Sequence, residues 1–329
     1  MKYFWRLSLF LKQHLLVVVP ITVTLAIAAG YTWDLTVLKP WALPFVILIV
    51  YPMMIGLPLR SVVSMADTRV LLVAQIANFA IVPFIGYGVG LLFLGQHPSL
   101  LLGFLLVALL PTSGGMTISW TGLAGGNIRA AVKMTVIGLL LGAVCAPLYL
   151  TMLMGEAVAI PFSRVGRAIL LVVFLPLLLG QVTRVLVLRH VGEPVFTAKI
   201  RPILPACSSW GLIGVIFIAI AAKAQVVVGS PALIIRIALP LILFYLLTYV
   251  VAGLIGRFSL SREDAIALVY GTALRSLGIA LVLSMTVFRD HGAELGLLVS
   301  LAYIVQIQSA AWFARLPEKL FRGTSNACR

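Results

Sequence analysis

Apolar residues run in blocks along nearly the whole chain, and each block lasts about 20 residues before a short polar or Pro/Gly-rich interruption ends it. At about 1.5 Å per residue, a helix of that length crosses a hydrocarbon core of about 30 Å. The blocks predict about ten helices, at approximately 7–30, 38–59, 70–94, 98–123, 128–154, 165–188, 206–227, 232–256, 262–288 and 293–315. The expected fold class is therefore all-α: a polytopic membrane protein of about ten transmembrane helices, with the bilayer as its solvent.

Composition agrees. Hydrophobic residues make up 62% of the chain and charged residues 10%, against a globular norm of about 25% charged. The formal net charge of +15 would suggest nucleic acid only if the basic residues clustered on one soluble face. They sit singly in short loops instead, so no nucleic-acid partner is expected; the partners are the lipid bilayer and a small solute. With the N-terminus inside, most Lys and Arg fall in cytoplasmic loops, which predicts a multi-pass cell-membrane protein with both termini cytoplasmic. Met1 to Arg6 and Ala26-Ile27-Ala28 resemble a secretory signal, but the apolar run from Leu7 to Gly30 is long for one and many spans follow, so a retained first helix is expected. Cys145, Cys207 and Cys328 are too scattered for a disulfide framework or a metal site, and no cofactor is expected.

The longest hydrophilic connection, around Arg184, Arg189, Lys199 and Arg201, divides the chain into residues 1–160 and 161–329. Five spans on each side would make the second half enter the membrane the opposite way up, the arrangement of inverted-repeat secondary transporters. In such carriers the solute site lies where helices unwind in mid-membrane. Matching fourth positions in the two halves carry the right residues: Leu110-Pro111-Thr112-Ser113-Gly114-Gly115-Met116-Thr117 and onward to Asn127, and Tyr270-Gly271-Thr272-Ala273-Leu274-Arg275-Ser276-Leu277-Gly278. Pro111 lacks a backbone donor and the Gly pair tolerates unusual dihedrals, so a helix break there is cheap. Half-helices ending at the break would aim their N-termini at an anion. The glycine runs Gly86-Tyr87-Gly88-Val89-Gly90 and Gly138 to Gly142 read instead as close helix packing.

Arg275 is the basic residue deepest in a predicted span, where a charge costs at least about 2.5 kcal/mol. No Asp or Glu falls in the core of any span, so its counter-group is either a solute anion or backbone carbonyls. Ser113, Gly114, Thr117, Thr272 and Ser276 stand in the two candidate breaks, and with Arg275 they belong to the expected substrate site. Gln306 and Gln308 read as a polar contact between helices, and Trp120 as an interfacial anchor. The tail from Leu316 to Arg329, with Lys319 and Arg322, reads as an amphipathic end touching anionic lipid.

The same segments resemble the bile acid:sodium symporter superfamily, which includes the arsenite permeases of arsenical resistance. Asn78-Phe79 with Pro83 is similar to that family's third-span pattern. Leu123-Ala124-Gly125-Gly126-Asn127 resembles its Leu-Ala-x-Gly-Asp/Asn signature, and Met134-Thr135 with Pro147 its fifth span. Arg275-Ser276-Leu277-Gly278-Ile279-Ala280 resembles its ninth-span stretch. The resemblance implies a core domain in which spans four and nine cross as broken helices, beside a panel domain of spans one, two, six and seven, with solute bound between them; it brings Asn78 and Thr135 of the third and fifth spans near that crossing, where they complete the expected substrate site with neutral hydrogen bonds. Three departures matter. Gly271 and Arg275 stand where the sodium symporters carry a carboxylate and a glutamine, and Thr117-Ile118 replaces a Ser-Asn pair. Ser113 aligns near the arsenite permeases' cysteine. A site with no acid and an added guanidinium suits sodium poorly, which puts sodium coupling in question.

The function expected is secondary transport of a small anionic or organic-anion solute by alternating access. Arsenite or antimonite efflux is the alternative within the same fold. A channel or a membrane-embedded enzyme is the alternative of another class; catalysis is not expected, because His14, His97, His190 and His291 lie only near span ends with no acid in any core.

Overall fold

Each apolar block of the sequence becomes a helix because backbone groups in lipid can pair only within their own segment. A computed structural model of the chain describes residues 14–56, 67–110, 112–155, 174–222, 224–229, 231–288 and 291–321. Among these residues every element is helical, apart from one isolated antiparallel bridge between Thr112 and Arg275.

In chain order the helices are α1 (Leu15–Thr32), α2 (Ala42–Gly56), α3 (Thr68–Leu94), α4 (Pro98–Leu109), α5 (Gly114–Leu123), α6 (Ile128–Met154) and α7 (Leu175–Val195). Then follow α8 (Leu204–Ala221), α9 (Ala224–Gly229), α10 (Pro231–Ser259), α11 (Arg262–Ala273), α12 (Leu277–Thr286), α13 (Gly292–Phe313) and α14 (Pro317–Leu320). Their positions follow the apolar blocks closely, and α6 coincides with its block. The start of the first and sixth blocks lies outside the described residues, as do Pro111 and most of the tail after Leu316.

Among the described residues four helices are long and apolar enough to cross a membrane: Thr68–Leu94, Ile128–Met154, Ala232–Ser259 and Glu294–Phe313. On α10 the residues Ile235, Leu239, Ile242, Leu246, Val250 and Leu254 are all exposed at helical spacing, while Ile237, Leu241, Phe244, Tyr245 and Ala252 are buried. In water that outer stripe would be polar; an apolar stripe at this spacing is a lipid-facing surface. The chain is a multi-pass α-helical membrane protein.

The chain folds into two compact units. The first takes Met1–Leu57, Ser163–Ile235 and Gly278–Ile304. Within it α8 packs on α1 and α2, and α7 on α2, through small residues that let backbones approach. A Cβ on Gly214 would fall 2.6 Å from the Phe45 ring, and one on Gly180 2.8 Å from the Met54 Cβ. Arg184 reaches the last carbonyls of α2, those of Ile55 and Gly56, at 3.4 Å each. It lies 4.8 Å from the centroid of the Phe196 ring and pairs with Glu193 at 3.3 Å.

The second unit takes Pro58–Phe162, Arg236–Leu277 and Val305–Arg329. Its core gathers Val70, Ala74, Ala130, Met134, Ala252, Ile266, Leu268, Tyr270, Ala310 and Phe313. Gly86 and Gly90 close on α4, as the small-residue reading of that run expects: Gly86 lies against Ala108, and a Cβ on Gly90 would meet Leu101 at 2.7 Å.

Gly86→Leu should therefore wedge α3 away from α4. We expect a loss of about 1–3 kcal/mol, read as a lower melting temperature of the detergent-purified protein, whereas Gly88→Leu, facing open space, should leave it nearly unchanged.

Candidate functional site

Inside the second unit both candidate segments are broken helices. At the end of α4, Leu110 is extended (φ −71°, ψ 151°), as is Ser113 (φ −71°, ψ 121°), and α5 begins at Gly114. At the end of α11, Leu274 leaves the helix (φ −87°, ψ 103°) and helix resumes at Leu277. The extended pieces meet. Thr112 and Arg275 form the antiparallel bridge, and the Ser113 amide donates to the Leu274 carbonyl at 2.8 Å. Backbone groups freed by unwinding thus satisfy one another, as they must away from water.

The other edge of Arg275 is held by a side chain. Gln306, fully buried on α13, accepts the Arg275 amide at 2.8 Å and donates to the Arg275 carbonyl at 3.2 Å. The same amide oxygen accepts the Tyr245 hydroxyl at 2.8 Å. The contact between helices expected of Gln306 is therefore present, and it falls on the break itself.

The Arg275 side chain is 1% exposed. Its Nη1 donates to the Leu110 carbonyl at 3.3 Å, while Nε and Nη2 have no partner among the described residues. These two N–H groups point the same way along one edge of the planar fork, the geometry that grips two oxygens of a carboxylate or other oxyanion. Among the described residues the ion pairs are Lys133 with Asp67 and Arg184 with Glu193; Arg275 is in neither.

Beside Arg275 lies a cluster of neutral polar groups. The α3 helix widens to a π turn over Ala77–Ile81, which carries buried Asn78 toward the ninth-span segment. Its Nδ2 donates to the Gly271 carbonyl at 3.2 Å and to Thr112 Oγ1 at 3.5 Å. Thr112 Oγ1 donates to the same carbonyl at 2.6 Å. A Cβ at position 271 would lie 2.7 Å from the Met134 sulfur, so glycine is what lets α11 close on α6 there. Asn78 Oδ1, Thr272 Oγ1 and both amide atoms of Gln75 are buried without partners. Buried polar atoms are ordinarily satisfied, so this concentration of unsatisfied ones marks a place for a polar occupant.

Of the site residues expected from sequence, Asn78, Ser113 and Thr117 are tied by hydrogen bonds to the stretch 270–274, Thr117 through a 3.4 Å bond to the Tyr270 carbonyl, and Arg275 ends that stretch with its amide on Gln306. Gly114 opens α5, Thr272 lies in the last turn of α11, and Ser276 follows Arg275 in the chain. Thr135 is different: its hydroxyl is committed to the Ala131 carbonyl one turn back at 2.9 Å. Sequence reasoning missed Thr112, Gln75, Tyr245 and the role of Gln306. For Thr112 a signal existed, because it stands between Pro111 and Ser113 in the candidate break.

A second polar cluster joins the starts of α3, α6 and α11. Asn127 caps α6 by accepting the Ala130 amide at 3.1 Å, and its Nδ2 donates to Asp67 and Asp264 at 2.8 Å each. Gly125 (φ 71°) turns the chain just before it. Lys133, 2% exposed, pairs with Asp67 at 3.2 Å. Burial would raise the Asp67 carboxyl, but the hydrogen bonds from Asn127 and Lys133 and the charges of Lys133 and Arg129 outweigh it and hold it below the usual aspartate value.

Comparison with known proteins agrees with these motifs. The model of the SBF-like CPA transporter family matches residues 13–316. An uncharacterized transporter of Synechocystis sp. is 27% identical over 236 residues, 67% of this chain and 61% of that one. Sodium/bile acid cotransporter 7 of Xenopus tropicalis is 29% identical over 118 residues, 36% of this chain and 33% of that one. An uncharacterized protein of Bacillus subtilis is 24% identical over 212 residues, 64% of this chain and 67% of that one. The chain thus spans about three fifths of the cyanobacterial relative's length. The resemblance to the bile acid:sodium symporter superfamily is borne out.

A carboxyl whose folded value is depressed stabilises the fold above its unfolded value of about 3.9 and ceases to do so as pH falls through the folded one. Asp67→Asn should lower the melting temperature at pH 7, by about 1–2 kcal/mol for removing one partner of a half-buried, hydrogen-bonded pair. It should also remove part of the stability loss expected of the native protein below about pH 4; melting curves between pH 3 and 7 check both.

Proposed function

The chain belongs to the SBF-like CPA transporter family, and from that premise we propose that it is a secondary transporter of a small anionic solute whose headgroup is held by Arg275. One observation carries this reading: a buried guanidinium at a helix crossing with Nε and Nη2 unfilled. A fixed positive charge away from water is costly, and a single carbonyl at 3.3 Å leaves most of that cost unmet. An anion with two oxygens answers both donors at once. The start of α5, just after the fourth-span break, adds partial positive charge in the same place.

Asn78, Ser113, Gly114, Thr117, Thr272 and Ser276 complete the site in this reading, with Thr112 and Gln75 added from the geometry; Thr135 has the weakest case, because its hydroxyl is occupied. Spans four and nine are the paired broken helices of two inverted five-span repeats, residues 1–160 and 161–329, and the solute passes by alternating access. The termini are cytoplasmic in a cell membrane, as the Lys and Arg distribution favours. Sodium, named for some relatives, is not the coupling ion expected here, because the groups nearest the crossing are neutral or cationic. Arsenite efflux fares no better, with Ser113 and not a thiol at the fourth-span break.

In proteoliposomes loaded with labelled benzoate or methanesulfonate, the native protein should give saturable exchange. Arg275→Ala should reduce it about tenfold or more, the least expected for losing a charge-assisted bidentate contact. Exchange unchanged by Arg275→Ala at several pH values would make Arg275 a structural tie and sink this reading.

A further inference from the structure

The Gln306 amide uses every hydrogen-bonding position it has. Its oxygen accepts from the Arg275 N–H at 2.8 Å and from the Tyr245 hydroxyl at 2.8 Å. Its nitrogen donates to the Arg275 carbonyl at 3.2 Å and faces the Met116 sulfur at 3.5 Å. Engaging both N–H and C=O of one residue reproduces what a neighbouring strand does in a hydrogen-bonded antiparallel pair. Thr112 bridges Arg275 on its other side. The stretch is therefore held on two sides, Arg275 itself by Gln306 and its neighbour Leu274 by the Ser113 amide, while the Arg275 carbonyl also takes the Leu277 amide at 2.9 Å as helix resumes.

A flipped amide would set N–H against N–H and oxygen against oxygen, so one orientation alone fits. The Tyr245 hydroxyl enforces it, because a donor there requires the oxygen. Residues Gly278–Ile304 belong to the other compact unit, so this amide joins the residues where the chain leaves its unit and where it returns.

We propose that Gln306, locked by Tyr245, is the positioning residue that aims the Arg275 guanidinium, and so sets how tightly the site holds an anion. The proposal rests on the anion reading of Arg275 and adds to it a residue outside both broken helices. Gln306 touches no solute; it acts by fixing the backbone from which the guanidinium projects. The conservative variant Gln306→Glu has a distinctive chemistry. While ionised, the introduced carboxylate would face the Arg275 carbonyl with an acceptor and compete with the anion for the guanidinium's charge. Once protonated, the same group donates to that carbonyl and accepts the Arg275 N–H, restoring the native pattern.

The test measures stabilisation of the detergent-purified full chain by methanesulfonate, which stays anionic across the range, with chloride as control, at pH 7.5 and at steps down to 4.5. For Gln306→Leu we expect methanesulfonate to bind about tenfold more weakly or worse at every pH. For Gln306→Glu we expect the same weakening at pH 7.5 and recovery toward the native constant as the new carboxyl takes up its proton. Tyr245→Phe, which leaves the amide in place but unlocked, should weaken binding by a smaller factor and serves if the leucine variant does not fold. Native constants in all three variants, or a Gln306→Glu constant that does not change with pH, overturn the proposal and leave the anion reading standing. A native protein that methanesulfonate does not stabilise more than chloride overturns both.

Discussion

The constraint on which the second unit depends is the pairing of backbone groups at the two helix breaks. Unwinding a helix in a setting without water strands amides and carbonyls, each costing several kcal/mol if left alone. Here stranded groups of the two breaks meet one another, through the Thr112–Arg275 bridge and the 2.8 Å bond from the Ser113 amide to the Leu274 carbonyl. Asn78 and Thr112 then cover the Gly271 carbonyl at 3.2 and 2.6 Å. Neither break could stand without the other, so the crossing is one cooperative feature and the polar residues around it are part of the fold before they are part of a site.

That dependence explains which parts were legible in sequence. Helix positions follow hydropathy, because each span must be apolar for about the thickness of the bilayer, and α6 and α10 appear almost where the apolar blocks put them. The breaks were legible in place, since both fall inside the two segments singled out, but not in detail: Leu110, Ser113 and Leu274 leave the helix, while Gly114, Gly115, Gly271 and Thr272 stay helical. The partners that make the breaks possible were legible only in part. Asn78 was among the expected site residues, but Gln306 lies 31 positions from Arg275 in an ordinary apolar helix and read only as a contact between helices, with nothing periodic to link it to the break. Asn127 was visible as part of a motif, but its bonds to Asp67 and Asp264 depend on three helix ends converging, which only tertiary packing decides.

The site list divides along the same line. Residues read from the two broken segments themselves, Ser113, Thr117 and Arg275, do bond across the crossing, because the crossing is made of those segments. Thr135 was read from a motif on a long, unbroken helix, and there a threonine hydroxyl has a carbonyl one turn back always within reach. A threonine on a regular helix can satisfy its hydroxyl locally, as Thr135 does, whereas the backbone groups of an unwound stretch have to look elsewhere.

The treatment of buried cations gives the strongest reason to see Arg275 as incomplete. Lys133 is buried and has a carboxylate at 3.2 Å. Arg184 has two carbonyls, an aromatic face and Glu193 at 3.3 Å. In both places the protein supplies the countercharge from its own chain. Arg275 is as deeply buried as Lys133, and its described partner is one carbonyl. Among the described residues, a fold that pairs its other buried cation, Lys133, and even the half-buried Arg184 leaves two donors of Arg275 unanswered where the two helix breaks meet. In the proposed reading the missing countercharge is the transported anion, and a guanidinium already neutralised by a neighbouring carboxylate would have no reason to take it up.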